Sequence, residues 1–380
     1  MKFANIKGHL EIKERLIHAA KNNRISHAQL FLGPSGNGGL AMAYAYAQFL
    51  NCTDPLEADS CGTCASCRKM EKIIHPDIHF SFPFIAKKNA DISSAYMNEW
   101  RSAFLAHPYL TLDTWQEYLS AENKQVNINI KEVHDIIKKL SLKSFEGKYK
   151  VLILWLPEYL RAEGNALLKL IEEPPARTLF LLVSENTERI LPTILSRTQL
   201  LKIPAYSSEE IQEHLADRHQ VEKDRALSLS LIADGNMHAA ITSIQNEQVG
   251  FLHLLVDWLR SIATDNGTQF IAKSQEDFPS LGRENQKSFL LYAIHILRQV
   301  LLFQQKLEKL VYLGEEELKF VQNFSKVYQH KQVEAAVKVL DEAYYHIERN
   351  ANTKILFLDV SLQLVLIFKF NSLPKGAQYI

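Results

Sequence analysis

The sequence predicts an α/β module on a mainly parallel sheet, followed by an all-helical second half. Three observations predict it. Five short apolar runs, "AQLFLG", "DIHFSFP", "YKVLILWL", "TLFLLVS" and "QLLKIP", alternate with helical stretches up to Pro204, the pattern of a parallel sheet covered on both faces. After Pro204 the strand signals stop. The first run also ends in a glycine-rich turn that leads into "AMAYAYAQFL", which is how a phosphate-binding loop is built. At 380 residues the chain exceeds one ordinary core, and at roughly 100 to 200 residues per domain it should hold two or three.

Taken in chain order, the first element is that turn, "GPSGNGG". A working phosphate loop follows GxxxxGK[ST], in which backbone amides cradle the phosphates, the lysine reaches the terminal ones and the hydroxyl holds magnesium. Gly33, Gly36 and Gly38 keep the turn, but Gly39 stands at the lysine position and Leu40 at the hydroxyl position. A glycine-rich turn of an unrelated fold is the bland alternative, and residual nucleotide binding through bare amides is a second one.

All four cysteines fall between 52 and 67, where the helix after the loop should end: Cys52, Cys61, Cys64 and Cys67 form CxxxxxxxxCxxCxxC. Two consecutive CxxC steps place three thiolates around one ion and the longer step returns the fourth, which suits tetrahedral zinc in a closed, structural site. A redox dithiol would need two cysteines rather than four. His75 and His79 nearby could substitute for a ligand, but they read rather as loop and strand residues. The stretch from about 85 to 124 contains two helical runs, "MNEWRSAFLAHPYL" and "TLDTWQEYLSAEN", and receives no functional assignment.

A strand that completes a nucleotide site should end in an aspartate, usually followed by glutamate, to hold magnesium and orient water. In "KVLILWLPEYL" those positions are Trp155 and Leu156, and Glu158 reads as a cap of the next helix. With Gly39 and Leu40, that makes four losses in a reaction that depends almost wholly on positioned charge. "NALLKLIEEPP" reads as an amphipathic helix stopped by paired prolines, with Leu167, Leu168 and Ile171 toward the core.

Beyond Pro204, "SSEEIQEHLADRH" opens with a serine cap and first-turn acids, and "DRALSLSLIADGNMHAAITSI" adds two helical runs around a glycine. From Val249 onward nearly everything has helical spacing, and several helices are apolar over much of their circumference, which fits an intramolecular bundle or packing against other chains. Domains are expected at 1–205, with the cysteine module at 52–67, at 206–245 and at 246–380. Lysine plus arginine equals aspartate plus glutamate, 43 each, so no overall field draws the chain to nucleic acid or to anionic membrane. No run reaches the roughly 18 apolar residues of a membrane span, and the chain is expected to be cytoplasmic.

"RISHAQLFLGPSGNGG", the cysteine module, "HPD", "SFEGKYKVLIL", "EGNALLKLIEEPP" and "ILPTILSRTQ" together resemble, in order, the delta prime subunits of bacterial replicative clamp loaders, which belong to the AAA+ superfamily. The resemblance covers most of residues 1 to 204. It implies a three-domain subunit of a pentameric ring, with an AAA+ module formed by the P-loop-type domain and a small helical lid, then a helical collar that oligomerises. It also implies a stator that binds and hydrolyses no ATP, with gamma- or tau-type motor ATPase subunits and a delta subunit as neighbours. The sliding clamp and primed DNA would be met through the complex. Arg197, with Ser196, corresponds to the family's Ser-Arg-Cys motif, which implies an arginine finger offered in trans. Thr198 replaces that motif's cysteine, and His238 stands where ATP-binding relatives place a sensing arginine. Asn165 and Glu173 fall where the family packs near a subunit interface.

Two further readings compete. A motor-type ATPase would require a lysine at 39 and an acid at 155. A zinc-containing nucleic-acid-binding protein would show a basic, aromatic patch around the cysteines, where only Arg68, Lys69 and Lys72 flank them.

Overall fold

The structure is a computed structural model that describes the chain apart from residues 87–90, 121–124, 247–249, 265–270, 308–310, 312, 350 and 373–380. Parts of the unassigned 85–124 stretch and of the expected 246–380 domain thus lie outside the described residues. The chain divides into two compact units: Met1–Tyr206 with Asn236–His238, and Ser207–Gly235 with Ala239–Ile380. No helix of the described residues is long and apolar enough to cross a membrane.

The first unit is built on five parallel strands, β1 (Ala28–Leu32), β2 (Ile78–Ser81), β3 (Lys150–Trp155), β4 (Thr178–Ser184) and β5 (Gln199–Lys202), in the order β2-β3-β4-β1-β5. Each lies within one of the apolar runs read from the sequence. Every residue of β3 and β4 is buried, because helices cover both faces of the sheet.

On one face α1 (Leu10–Lys21) and α2 (Gly39–Asn51) lie against Phe31, Val151, Ile153 and Leu181. All thirteen residues of α2 are buried. Its alternating alanines let neighbours approach closely, and the short α3 (Ala65–Glu71) follows it. The same core takes in α4 (Met97–Ala106) and α5 (Leu112–Tyr118), the two helices of the unassigned stretch. Their tryptophans explain why: Trp100 stacks on Phe82 at 4.0 Å and meets Trp115 edge-on at 5.2 Å, while the Trp115 indole donates to the Pro83 carbonyl at 2.7 Å.

The opposite face carries α6 (Ile130–Ser141), which buries Val133, Ile136 and Leu140 against Leu152, Leu154, Phe180 and Leu182. The helix expected in "NALLKLIEEPP" is shorter than its pattern. A 3₁₀ stretch, Arg161–Leu167, precedes α7 (Leu168–Glu172), and α8 (Pro192–Leu195) packs beside both. Leu167 and Ile171 are buried as expected, while Leu168 is only partly so.

The second unit is helical throughout its described residues: α9 (Ser208–His219), α10 (Lys223–Ala233), α11 (Met237–Asn246, whose first two residues go with the first unit), α12 (Phe251–Ala263), α13 (Arg283–Gln304), α14 (Glu315–Val327), α15 (His330–Glu348) and α16 (Thr353–Phe368). The serine cap is Ser207. Its hydroxyl accepts from Glu210 N–H at 3.1 Å, and the Glu210 carboxylate accepts Ser207 N–H in return at 2.9 Å. An aromatic centre holds the bundle: Phe278 stacks on Phe357 at 4.3 Å, and Trp258 donates to Ser361 Oγ at 2.9 Å.

Candidate functional site

The glycine-rich turn joins β1 to α2 as a phosphate loop does. Gly33 sits so close to the chain leaving β5 that a Cβ there would lie 1.9 Å from the Ile203 carbonyl oxygen. Gly36 and Gly38 adopt left-handed φ of 72° and 80°. The cradle itself is occupied by a side chain. Asn37 is buried, its Nδ2 donates to the Ile203 carbonyl at 2.9 Å, and its Oδ1 accepts the Gly39 N–H at 2.8 Å. That amide belongs to the N-terminus of α2, where a phosphate oxygen would otherwise be received.

What covers the turn is equally specific. Pro108, Tyr109 and Leu110, the link between α4 and α5, line a small, partly open pocket over the loop together with Trp155, in which about 20 Å³ is accessible to water-sized molecules. Trp155 stands at the end of β3, the place of the magnesium-binding acid in a working site, and it is buried against Trp100 with ring centroids 5.3 Å apart. The 85–124 stretch, which has no assigned role in the sequence, therefore walls the space above the turn. Leu40 and Leu156 are also buried.

Glu158 does not cap the helix after β3. Its carboxylate accepts from Ser184 Oγ at 2.5 Å and from the N–H groups of Glu185 and Asn186 at 2.8 and 3.0 Å, pinning the loop after β4. Sequence proximity suggested the nearest helix, but the parallel pairing of β3 with β4 brings the other loop closer.

The four cysteines come together. Cys52 ends α2, Cys64 caps α3 and Cys67 lies inside it, and the four sulfurs all fall within 4.8 Å of one another. The Sγ atoms of Cys61 lie 3.5 Å from that of Cys52 and 3.9 Å from that of Cys67. A tetrahedral ion with metal–sulfur bonds of about 2.3 Å needs sulfurs roughly 3.8 Å apart, so the set fits. Backbone N–H groups point at the sulfurs: those of Thr63 and Cys64 at Cys61, 3.4 and 3.3 Å away, and that of Cys67 at Cys64, 3.4 Å away. Such donors favour thiolates. They hold the Cys61 thiol below its ordinary range, and although burial pushes Cys64 up, donors from Cys67 and Thr53 outweigh it and bring it to about 6. His75 and His79 stay outside this group. His79 lies in β2, and His75 Nδ1 accepts the Asp77 N–H at 3.2 Å.

Asp77, within "HPD", has a task that sequence reading missed. Its two oxygens accept the N–H groups of Phe145, Glu146 and Gly147 at 2.6, 2.8 and 2.6 Å, fastening the "SFEGKYK" loop beneath β2. Glu146 on that loop is in turn gripped by Lys69, next to the cysteines, at 2.5 Å.

Arg197 lies just past α8 and is exposed. Its Nε and Nη2 face the carboxylate of Glu172 at the end of α7, and Nη1 donates to the Thr193 carbonyl at 2.9 Å and to Ser196 Oγ at 3.1 Å. Thr198 Oγ1 donates to the Leu195 carbonyl at 3.1 Å, a local contact that a cysteine could replace without moving the arginine. Asn165 and Glu173 are exposed, as is Glu172, for which the sequence carries no signal. His238 is buried, with Nε2 2.8 Å from Thr114 Oγ1 on α5. It is thus committed to the segment that covers the turn.

The pattern of the family described as DNA polymerase III, delta subunit, matches residues 8–207. The chain is similar to DNA polymerase III subunit delta' of Escherichia coli, 26% identical over 237 residues, 62% of this chain and 59% of that protein. To subunit delta' of Pseudomonas aeruginosa it is 29% identical over 210 residues, 54% and 52% of the two chains. To subunit tau of Salmonella typhimurium it is 28% identical over 246 residues, 63% of this chain and 32% of that one. The matched part thus spans between about a third and three fifths of these relatives.

Proposed function

The chain belongs to the DNA polymerase III delta subunit family, in its delta prime branch, and from that premise we propose that it is a noncatalytic stator of a replicative clamp loader. In this reading residues 1–205 and 206–245 form an AAA+ module that binds no ATP of its own, and 246–380 form the collar. The neighbours are gamma- or tau-type motor ATPase subunits and a delta subunit. The sliding clamp and primed DNA are engaged through the complex.

One observation carries the reading: a protein side chain takes an amide of the nucleotide cradle, and uncharged groups wall what space remains. Asn37 takes an amide that a phosphate would take, and Tyr109 and Trp155 wall the small space above it with no charge. A motor ATPase needs that space and needs charge in it, and neither is present at Gly39, Leu40, Trp155 or Leu156.

What the subunit contributes to the reaction is Arg197. Phosphoryl transfer spreads charge over the γ-phosphoryl oxygens, and a planar guanidinium supplied from the next subunit stabilises it. Arg197 is exposed at the end of a short, buried-sided helix, with Ser196 beside it, as a group offered outward must be. The cysteine set holds a structural zinc: all four positions would be protein thiolates, so no position is open for water or substrate. Support for the ring comes from α16, whose Leu362 and Leu366 stand exposed on one side while Phe357, Val360, Leu364 and Ile367 are buried on the other. A nucleic-acid role for the cysteine module is disfavoured by Lys69, which is paired with Glu146.

Titration of the isolated chain with magnesium-ATP, followed by calorimetry, tests the reading. No binding heat is expected up to millimolar nucleotide. Micromolar binding that is lost on substituting Gly38 would replace the stator with a nucleotide-dependent subunit.

A further inference from the structure

Arg197 is not free to act as it stands. Its Nε/Nη2 edge faces Glu172, and its Nη1 is spent on the Thr193 carbonyl and Ser196 Oγ. A guanidinium grips phosphate best through a two-pronged edge, and neither edge is open here. Glu172 is also oddly placed for a mere surface acid. It occupies the last position of α7, the negative end of the helix, where a carboxylate is disfavoured and a cation favoured. Two partly exposed side chains, 35% for Arg197 and 45% for Glu172, hold each other in a contact that exchanges at little cost.

We propose that Glu172 is a positioning residue that parks Arg197 on its own subunit until a neighbour's triphosphate competes for the guanidinium. The inference rests on the reading of Arg197 as a finger supplied in trans. While the neighbouring site lacks correctly placed triphosphate, Glu172 neutralises the arginine and keeps it docked along α8. When the γ-phosphoryl oxygens arrive, the guanidinium exchanges one carboxylate for a more highly charged partner, and Glu172 is left in solvent. Parking therefore lowers hydrolysis when subunits are loosely apposed and matters little once the ring is closed on DNA.

The test uses the reconstituted loader with full-length chains carrying Glu172→Gln, Glu172→Asp, Arg197→Ala or Glu172→Gln with Arg197→Ala. Glu172→Gln keeps the size and removes the charge, so ATPase without DNA should rise about two- to fivefold, the range an exposed ion pair can supply. The rise should lie in kcat with KM for ATP unchanged, and the DNA-stimulated rate should stay near that of the unmodified loader. Glu172→Asp should restore the low rate, which a purely structural role for the helix end would not require. On the Arg197→Ala background, Glu172→Gln should have no effect. If Arg197→Ala lowers the rate but Glu172→Gln leaves it unchanged or lowers it with and without DNA, the parking role is wrong and the finger stands. If Arg197→Ala leaves every rate unchanged, the finger reading fails and the parking role goes with it.

Discussion

Asp77 sits buried beneath three N–H donors, from Phe145, Glu146 and Gly147, and its environment sets a signature that can be measured. Burial alone would raise its carboxyl, but the donors outweigh burial and hold it below the usual carboxylate range. A carboxyl whose folded pKa is depressed stabilises the fold above its unfolded value, about 3.9, and that contribution is lost as pH falls through the folded value. Asp77→Asn should therefore cost about 1.5 to 3 kcal/mol at pH 7, and the gap from the unmodified protein should narrow as the pH drops below about 4. Urea unfolding at pH 7 and pH 3.5 checks this. A gap that stays constant would mean that the loop is held by something other than the Asp77 charge. The role was illegible in the sequence for a plain reason: "HPD" and "SFEGKYK" lie almost 70 residues apart, and only the pairing of β2 with β3 brings them together.

At the scale of elements, strands and cysteines were readable because their information is local. A run such as "KVLILW" is a buried strand wherever the sheet lies, and CxxCxxC gathers its sulfurs through its own turns. The cover over the phosphate loop was not readable. Tyr109 and Trp155 come from separate stretches, and their meeting is a fact of packing, with no period to announce it. The 3₁₀ stretch at Arg161–Leu167 escaped for a related reason: its apolar spacing is helical, but Arg161 takes a left-handed φ of 51°, so a regular helix cannot run through its start.

Two predictions belong to this scale. Trp155→Ala should cost about 3 to 5 kcal/mol by emptying the cluster around Trp100, measured as a lowered denaturation midpoint, and should not create ATP turnover because no lysine or acid is gained. The purified chain should carry about one zinc, and Cys64→Ser should remove it and lower the melting temperature. Full zinc occupancy in the serine variant would exclude Cys64 as a ligand.

For the whole molecule, the proposed stator pairs a phosphate-type loop lacking charged groups with two exposed features, Arg197 and the apolar side of α16. Leu362→Glu with Leu366→Glu should leave the circular dichroism of the isolated chain unchanged, since both side chains are exposed, while its incorporation into the ring on size-exclusion chromatography falls sharply. Normal assembly would remove α16 from the interface.

The most direct measurement of the central claim is the DNA- and clamp-stimulated ATPase of a loader assembled with Arg197→Ala. Assembly and zinc content should be unaltered. Turnover at the neighbouring site that Arg197 is proposed to complete should fall by roughly 10³ to 10⁵, as fingers supplied in trans contribute in well-studied cases, so the summed rate drops by about that site's share. Arg197→Lys should rescue poorly, because it keeps the charge and loses the fork. A fully assembled Arg197→Ala loader that hydrolyses ATP and loads clamps at the unmodified rate would contradict the account.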